Sequence, residues 1–280
     1  MGVFTRGTTS SSAVITKVVT GVALVASSAL VLSGCAGGSQ SETFPDLTIG
    51  TVLPQTGSLA FLGPPEEAGV ALAIADINAA DAGITIDVVY GDSGDLDNKA
   101  YETEVPRLLN EDVRALIGAA SSSVSLSFID QVTKEAGVLQ VSPANTSTTL
   151  SDYDDDGLFW RTAPSDVLQG EALGQLIAAD GHETVAFLTL NDAYGITLEA
   201  EATKAFVAAG GTVLGSASVN TGDTNLTSQV SELLALDPSA LVVILFDETK
   251  TAIPEISAGG FDAANIYMTD GNLANYSTDF

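Results

Sequence analysis

Four polar loops each follow a short apolar run, and their side chains and backbone could bind a small charged solute. They span residues 118–123, 143–149, 191–195 and 270–272. The first carries consecutive serines directly before a predicted helix, where hydroxyls and free N–H groups could accept a carboxylate; a serine that simply caps this helix is the alternative. The last begins with Asp270, an acid that could receive a cationic group. Together these loops would suit a zwitterion such as an amino acid.

The sequence predicts alternating strands and helices, an arrangement that would bring these loops together. Predicted strands cover Leu47–Val52, Ile84–Tyr90, Ala115–Ile117, Val138–Ser142, Thr184–Leu190, Thr212–Ser218, Ala240–Phe246 and Ile266–Thr269. Helical spacing of apolar residues predicts helices between them. Among them are one that opens near Glu66, Lys99–Asn110, Val124–Ala136, and one that stops at Gly210-Gly211. Pro106 should kink or restart the second of these.

This alternation is typical of an α/β fold with mainly parallel sheets that are flanked by helices. The pattern begins again near residues 159–162, which predicts two lobes, a first over residues 46–161 and a second over residues 162–280. Ligands of open parallel sheets bind beyond the carboxyl ends of the strands. We therefore expect the four loops to face a shared cleft.

The composition narrows the class of protein. The 280 residues are 45% hydrophobic, and nine Lys and Arg stand against 36 Asp and Glu, for a formal charge of −27. So acidic a surface repels nucleic acid and anionic lipid, which argues against a nucleic-acid partner. The sequence contains no Gly-rich dinucleotide motif or P-loop, so we expect no cofactor.

The first 45 residues are predicted to be an export address and a tether. Arg6 and Lys17 precede an apolar run, Val18–Leu32, that is too short and too rich in small residues for a comfortable membrane span. It ends in Leu32-Ser33-Gly34-Cys35, which resembles the lipobox of bacterial lipoproteins. That resemblance implies a signal peptide over residues 1–35, a lipid on Cys35, a flexible tether over residues 36–45, and anchoring to the outer face of the cell membrane. An ordinary signal peptide with an incidental cysteine is the alternative.

Five runs in order along the mature chain resemble a known family. They are IGTVLPQTG (49–57), IGAASSSVS (117–125), VSPANT (141–146), FWRTAPSD (159–166) and NDAYG (191–195). They are similar to the leucine/isoleucine/valine-binding proteins, type I periplasmic solute-binding proteins of ABC importers. The resemblance implies a two-lobed capture protein that is not an enzyme, with a small-molecule ligand and an ABC permease as partners. A ligand-sensing module of the same fold that feeds a membrane receptor is the alternative.

The resemblance also implies roles for particular residues in binding an amino acid. These are Ser122 for the carboxylate, Ala144 through its carbonyl for the ammonium, Thr146 through its hydroxyl and N–H, Tyr194 from the second lobe, and Asp270 for the ammonium. Asp270 is one methylene shorter than the family's usual glutamate.

Four further candidates accompany this set. Ser123 adjoins Ser122, and Leu62 aligns with a family aromatic that walls the side-chain pocket, with Phe61 beside it. The family's second tyrosine of the second lobe falls near Phe246 or Asp247. We expect an amino acid or similar small polar solute. Family members also continue well beyond Phe280, so the second lobe is expected to be incomplete, with a C-terminal truncation and a sheet edge left uncovered.

Two motifs have competing chemical interpretations. Gly91-Asp92-Ser93-Gly94 is a serine-protease-like string, but the one histidine, His182, falls in the second predicted lobe, so a triad is not expected. Asp152-Tyr153-Asp154-Asp155-Asp156-Gly157 matches the start of a calcium loop, although Ala163 stands where a bidentate acid is required. We interpret it as a solvated acidic turn and expect no metal. Trp160 is expected to pack near the lobe junction.

Overall fold

The computed structural model describes residues 46–81, 83–274, 276 and 279. The predicted signal peptide, Cys35 and the tether lie outside these residues. Every helix within the described ranges is too short or too polar to span a bilayer.

Strands and helices alternate along the described residues. In chain order they are β1 (Leu47–Leu53), α1 (Gly63–Ala79), β2 (Ile86–Asp92), α2 (Tyr101–Asn110), β3 (Ala115–Gly118), α3 (Ser122–Asp130), β4 (Leu139–Ser142), β5 (Phe159–Arg161), α4 (Asp166–Ala179), β6 (Thr184–Leu190), α5 (Ala193–Ala208), β7 (Thr212–Val219), α6 (Thr227–Leu234), β8 (Ala240–Ile244), α7 (Thr249–Ala258) and β9 (Ile266–Met268).

The strands form two sheets, in the orders β2-β1-β3-β4-β5 and β7-β6-β8-β9. Every neighbouring pair of strands in them is parallel. The predicted α/β architecture of two mainly parallel sheets flanked by helices is therefore confirmed. Because the strands within a sheet run in one direction, the loops after them all emerge at the same edge of that sheet.

Buried apolar residues fill the space between sheets and helices. All five residues of β8 are buried, as are the last six of β6, which explains their continuous apolar sequences. The apolar cluster of the second sheet also includes Leu59 and Ala120, from loops that follow β1 and β3 of the first. The two sheets therefore meet through the loops at their carboxyl ends. By contrast, only Gly63 of α1 is buried, and Leu72 on that helix is 64% exposed.

Gly118 ends β3 at the point where the chain turns toward the serine loop. Its φ is +129°, and a Cβ there would overlap the carbonyl oxygen of Val52 in the neighbouring strand. Only glycine combines this backbone conformation with so close an approach. The residue therefore sets where the serine loop begins.

Helix α2 does not restart at Pro106, which was one of the two effects predicted there. It runs without interruption from Tyr101 to Asn110. The N–H that proline lacks would have bonded the carbonyl of Glu102, which lies in the exposed first turn, where water can replace the missing donor.

Three other details differ from the sequence-based expectation. Helix α7 is not apparent from the pattern, because Pro254 lies inside it. Strand β8 ends at Ile244 rather than Phe246, so that Phe246 belongs to the following loop. Trp160 is 62% exposed rather than packed, and its indole N–H donates to the carbonyl of Gly157 at 3.1 Å.

Candidate functional site

A cavity of about 240 Å³ lies where the carboxyl-end loops of the two sheets face each other. The loops after β1, β3, β4 and β5 line one side, with Leu59, Leu62, Glu66, Ala120, Ser121, Ser122, Pro143, Ala144, Thr146 and Ala163. The loops after β6, β8 and β9 line the other, with Tyr194, Phe246, Asp270 and Gly271. The structure thus brings the five principal candidates, Ser122, Ala144, Thr146, Tyr194 and Asp270, onto one cavity, and their binding roles stay predictions.

The N-terminus of α3 forms part of the first wall. Ser121 is its N-cap, and its hydroxyl accepts a hydrogen bond from the N–H of Val124 at 3.3 Å. Ser122, only 2% exposed, accepts from the N–H of Ser147 at 3.3 Å. The N-cap interpretation of the serine loop therefore holds for Ser121, and carboxylate binding by Ser122 stays a prediction. The first N–H groups of a helix have no intrahelical partner and carry its positive end, so this wall favours an anionic group.

Asp270 lies on the opposite wall, in the turn after β9. One oxygen, Oδ1, accepts hydrogen bonds from the Tyr194 hydroxyl at 2.8 Å, the Gln169 side-chain amide at 2.9 Å and the Gly271 N–H at 2.9 Å. Among the described residues none donates to Oδ2. The three donors fix the carboxylate in one orientation and leave its second oxygen to accept from a ligand.

Tyr194 holds this acid in place. Its ring, 3% exposed, stacks on Phe246 with 5.4 Å between centroids and an interplanar angle of 16°. Burial raises the pKa of its hydroxyl well above the ordinary value, with Asp270 contributing. The phenol therefore stays protonated and donates. A Cβ at Gly271 would lie 2.7 Å from the Tyr194 oxygen, so glycine is what permits the turn to approach the ring.

Asp166 lies behind the cavity wall and was not singled out by the sequence. It is fully buried at the first position of α4, and its Oδ2 accepts from the Thr197 hydroxyl at 2.9 Å. Its N–H donates to the carbonyl of Thr146 at 2.8 Å, which joins the loop after β4 to α4, while the Thr197 contact joins α4 to α5. Burial raises its pKa to about 6, although hydrogen bonds from Thr146 and Thr197 oppose the shift. The preceding N-cap, Ser165, is the only sequence signal for its position.

Glu66 is the second residue that the sequence reasoning missed as a cavity residue. In the sequence analysis Glu66 marked only the start of a predicted helix, and the residue does lie in the first turn of α1. It also lines the cavity, where its Oε2 is buried without a hydrogen-bond partner among the described residues. Burial raises the pKa of its carboxyl to about 7.

The four additional candidates separate into different environments. Leu62 lines the cavity, whereas Phe61 packs against the apolar cluster of the second sheet. Ser123 lies outside the lining and accepts from the N–H of Ala193 at 2.7 Å. Asp247 also lies outside it and pairs with Lys250 at 2.7 Å. Of the two residues aligned with the family's second tyrosine, Phe246 lines the cavity and Asp247 does not.

The competing motifs are held in other arrangements. The Ser93 hydroxyl donates to the carbonyl of Gly94 at 3.1 Å, while His182 packs edge-on against Tyr267 with 5.7 Å between ring centroids. In the acidic turn, Asp155 accepts from the N–H of Gly157 at 2.7 Å and Asp154 pairs with Lys134 at 3.0 Å. The described part of the chain contains no cluster of three or more side chains placed to hold a metal.

A family described as "Periplasmic binding protein" matches the chain over residues 46–276. The chain belongs to the periplasmic binding protein family. This match spans both sheets and all the loops of the cavity. The family is extracytoplasmic and binds solutes.

Curated relatives of this periplasmic binding protein carry amino-acid names. It is 30% identical over 194 residues to "Leu/Ile/Val-binding protein homolog 2" of Brucella abortus (strain 2308), covering 68% of this chain and 52% of that one. It is 28% identical over 209 residues to the "Leucine-, isoleucine-, valine-, threonine-, and alanine-binding protein" of Pseudomonas aeruginosa, covering 73% and 54%. The chain thus spans about half the length of the curated relatives it matches.

A solved structure shares the fold. A leucine-binding protein from Thermotoga maritima superposes with a TM-score of 0.70 at 23% identity, covering 80% of this chain and 63% of that one. The likeness shows that the two chains share the two-sheet α/β architecture.

Proposed function

We propose that this periplasmic binding protein captures an amino acid or a similar small zwitterion in the cavity between its two sheets. The observation that carries the proposal is the opposition of two charges of unlike sign across one cavity. The positive end of α3, with Ser121 and Ser122, forms one wall, and the oriented carboxylate of Asp270 forms the other. A zwitterion satisfies both at once.

The apolar part of the lining supports the same ligand class. Leu59, Leu62 and Phe246 surround the space between the polar walls. A site that binds a small molecule typically combines such apolar contacts with a few well-placed polar groups. The amino-acid names of the curated relatives agree with this chemistry.

The two halves would close over the ligand. We take residues 46–161 and 162–280 as the two lobes, and hydrogen bonds already join them outside the cavity lining. The Ser58 hydroxyl donates to Glu248 at 2.7 Å, and the Ala193 N–H donates to Ser123 at 2.7 Å. Solute that touches both lobes would favour this closed arrangement over an open one, because only the closed form offers all the contacts.

In the cell, the closed protein would deliver its solute to an ABC permease, while a lipid on Cys35 holds it at the outer face of the membrane. Metabolic labelling with a radioactive fatty acid tests the anchor: the natural chain should be labelled and Cys35→Ala should not. Deletion of the gene should abolish uptake of the bound solute. Normal uptake after deletion would instead favour the sensing role.

Binding itself is tested by calorimetric titration of the full chain with amino acids and small carboxylates. Ser122→Ala and Asp270→Asn should each weaken amino-acid binding about tenfold to a hundredfold, because each removes a charge-assisted hydrogen bond worth about 1.5–3 kcal/mol. Ser127→Ala, on the exposed side of α3, and Asp262→Asn, in an exposed turn, are matched controls that should bind normally. Unchanged affinity in both cavity variants would exclude the site.

A further inference from the structure

Glu66 is a second acidic residue in the cavity lining, besides Asp270. The carboxylate and ammonium groups of a zwitterion already have partners in the proposed site, so they do not account for it. Two prolines, Pro64 and Pro65, open α1, and the Glu66 N–H donates to the carbonyl of Leu62 at 3.1 Å. This turn directs the two adjacent glutamates differently. The carboxylate of Glu67 accepts from the Gln55 side-chain amide at 2.8 Å at the exposed surface, whereas Glu66 lines the cavity.

The environment of Glu66 does not satisfy its carboxyl group. Its Oε2 is buried and no described residue donates to it. No lysine, arginine or histidine is present among the described residues that line the cavity. A buried carboxylate without a partner is expensive, which is why its pKa rises to about 7. A favourable interaction with the helix dipole alone would not require burial, since an exposed carboxylate at a helix N-terminus also gains it.

The other polar groups are already assigned under the proposed function. The N-terminus of α3 would take the ligand's carboxylate, and Asp270 its α-ammonium group. The rest of the lining that a ligand side chain could contact includes the apolar residues Leu59, Leu62 and Phe246 and one hydrogen-bond acceptor, Glu66. The ligand's side chain must lie in this part of the cavity, where a purely aliphatic group would leave the carboxyl group without a partner.

We propose that Glu66 determines specificity by accepting a hydrogen bond from the side chain of the bound amino acid. The preferred ligand therefore carries an N–H donor on its side chain, as an ammonium, guanidinium or amide group. This inference rests on the proposed function, because it assumes that an amino acid occupies the cavity.

The test is calorimetric titration of the full chain and three variants with lysine, glutamine and leucine. The natural chain should bind lysine or glutamine at least tenfold more tightly than leucine. Glu66→Leu should reverse that order, and Glu66→Gln should weaken lysine binding tenfold to a hundredfold, the loss expected for a charge-assisted hydrogen bond. Glu67→Gln, which removes an equal charge from the adjacent position, should match the natural chain. Thermal unfolding verifies that each variant is folded.

The outcomes separate this inference from the function on which it rests. Leucine bound more tightly than lysine and glutamine by the natural chain, or a ligand order unchanged in Glu66→Leu and Glu66→Gln, would overturn the role of Glu66 and leave amino-acid capture intact. Absence of binding by any amino acid to the folded natural chain would overturn both. Equal losses of lysine affinity in Glu66→Gln and Glu67→Gln would show that the effect comes from the overall negative charge and not from a hydrogen bond to Glu66. That result would also reject the proposal.

Discussion

Replacing Tyr194 with phenylalanine isolates the support that orients Asp270. The substitution removes one oxygen and keeps the ring that stacks on Phe246. That oxygen donates to Asp270 at 2.8 Å, shares a hydrogen bond with the Thr269 hydroxyl at 2.7 Å, and accepts from the Gly271 N–H at 3.1 Å. All three partners are therefore affected by one atom.

The magnitude follows from what each partner retains. In the variant, Asp270 still accepts hydrogen bonds from Gln169 and Gly271. The Gly271 N–H therefore keeps an acceptor, and the Thr269 hydroxyl is the partner whose hydrogen bonding is most reduced. A hydrogen bond to a charged group contributes about 1.5–3 kcal/mol, and the remaining partners reduce the net loss of unfolding free energy to roughly 1–2 kcal/mol. With its carboxylate less restrained, the site should bind its amino acid about threefold to tenfold more weakly.

Chemical denaturation and calorimetric titration measure the two effects. Tyr267→Phe is the matched control, because that hydroxyl also donates to a carboxylate, Asp180 at 2.7 Å, but lies outside the cavity lining. It should lower stability by no more than about 1 kcal/mol and leave affinity unchanged. Natural affinity in Tyr194→Phe, or an equal loss of affinity in both variants, would refute the argument that Tyr194 positions Asp270.

Two further predictions concern stability. Burial raises the pKa of Asp166 and of Asp192 to about 6; Asp270 adds to the first shift while Arg161 opposes it, and Glu248 adds to the second. Both acids therefore bind protons more tightly when folded, so the unfolding free energy should rise as pH falls from about 8 to about 5, by about 1.4 kcal/mol per group. Denaturation at several pH values should show a smaller slope in Asp166→Asn and in Asp192→Asn, and an unchanged slope would contradict the assignment. Gly195→Ala should destabilise the fold by about 2 kcal/mol or more, because its Cβ would overlap the Leu190 carbonyl, whereas Gly69→Ala, with open space in mid-helix, should stabilise it by about 0.5–1 kcal/mol. Thermal unfolding compares this pair, and similar shifts in both would contradict the packing argument.

The order of elements could be predicted from the sequence because it depends on local patterns. The apolar run Thr184–Leu190 predicted a strand with the bounds that β6 has, and Asp192 directly after it is a residue type that commonly caps helices, as it does through the N–H of Gly195 at 2.8 Å. Alternating strands and helices permit few arrangements other than parallel sheets, and parallel sheets gather their functional loops at one edge. This is why the four loops could be named before their distances were known, whereas the five principal residues within them followed from the family resemblance.

The direction of each loop side chain was decided only by the tertiary structure. Phe246 lines the cavity, whereas its neighbour Asp247 pairs with Lys250 outside it. Glu66 and Glu67 are adjacent and chemically identical, yet only the first lines the cavity, while the second accepts from the Gln55 side-chain amide. These outcomes depend on contacts between residues far apart in the chain, such as Ser58 with Glu248. A local pattern contains no information about which distant loop a side chain will contact. The sequence therefore predicted where along the chain the cleft loops lie, and the packing of the two sheets determined which of their side chains line the cavity.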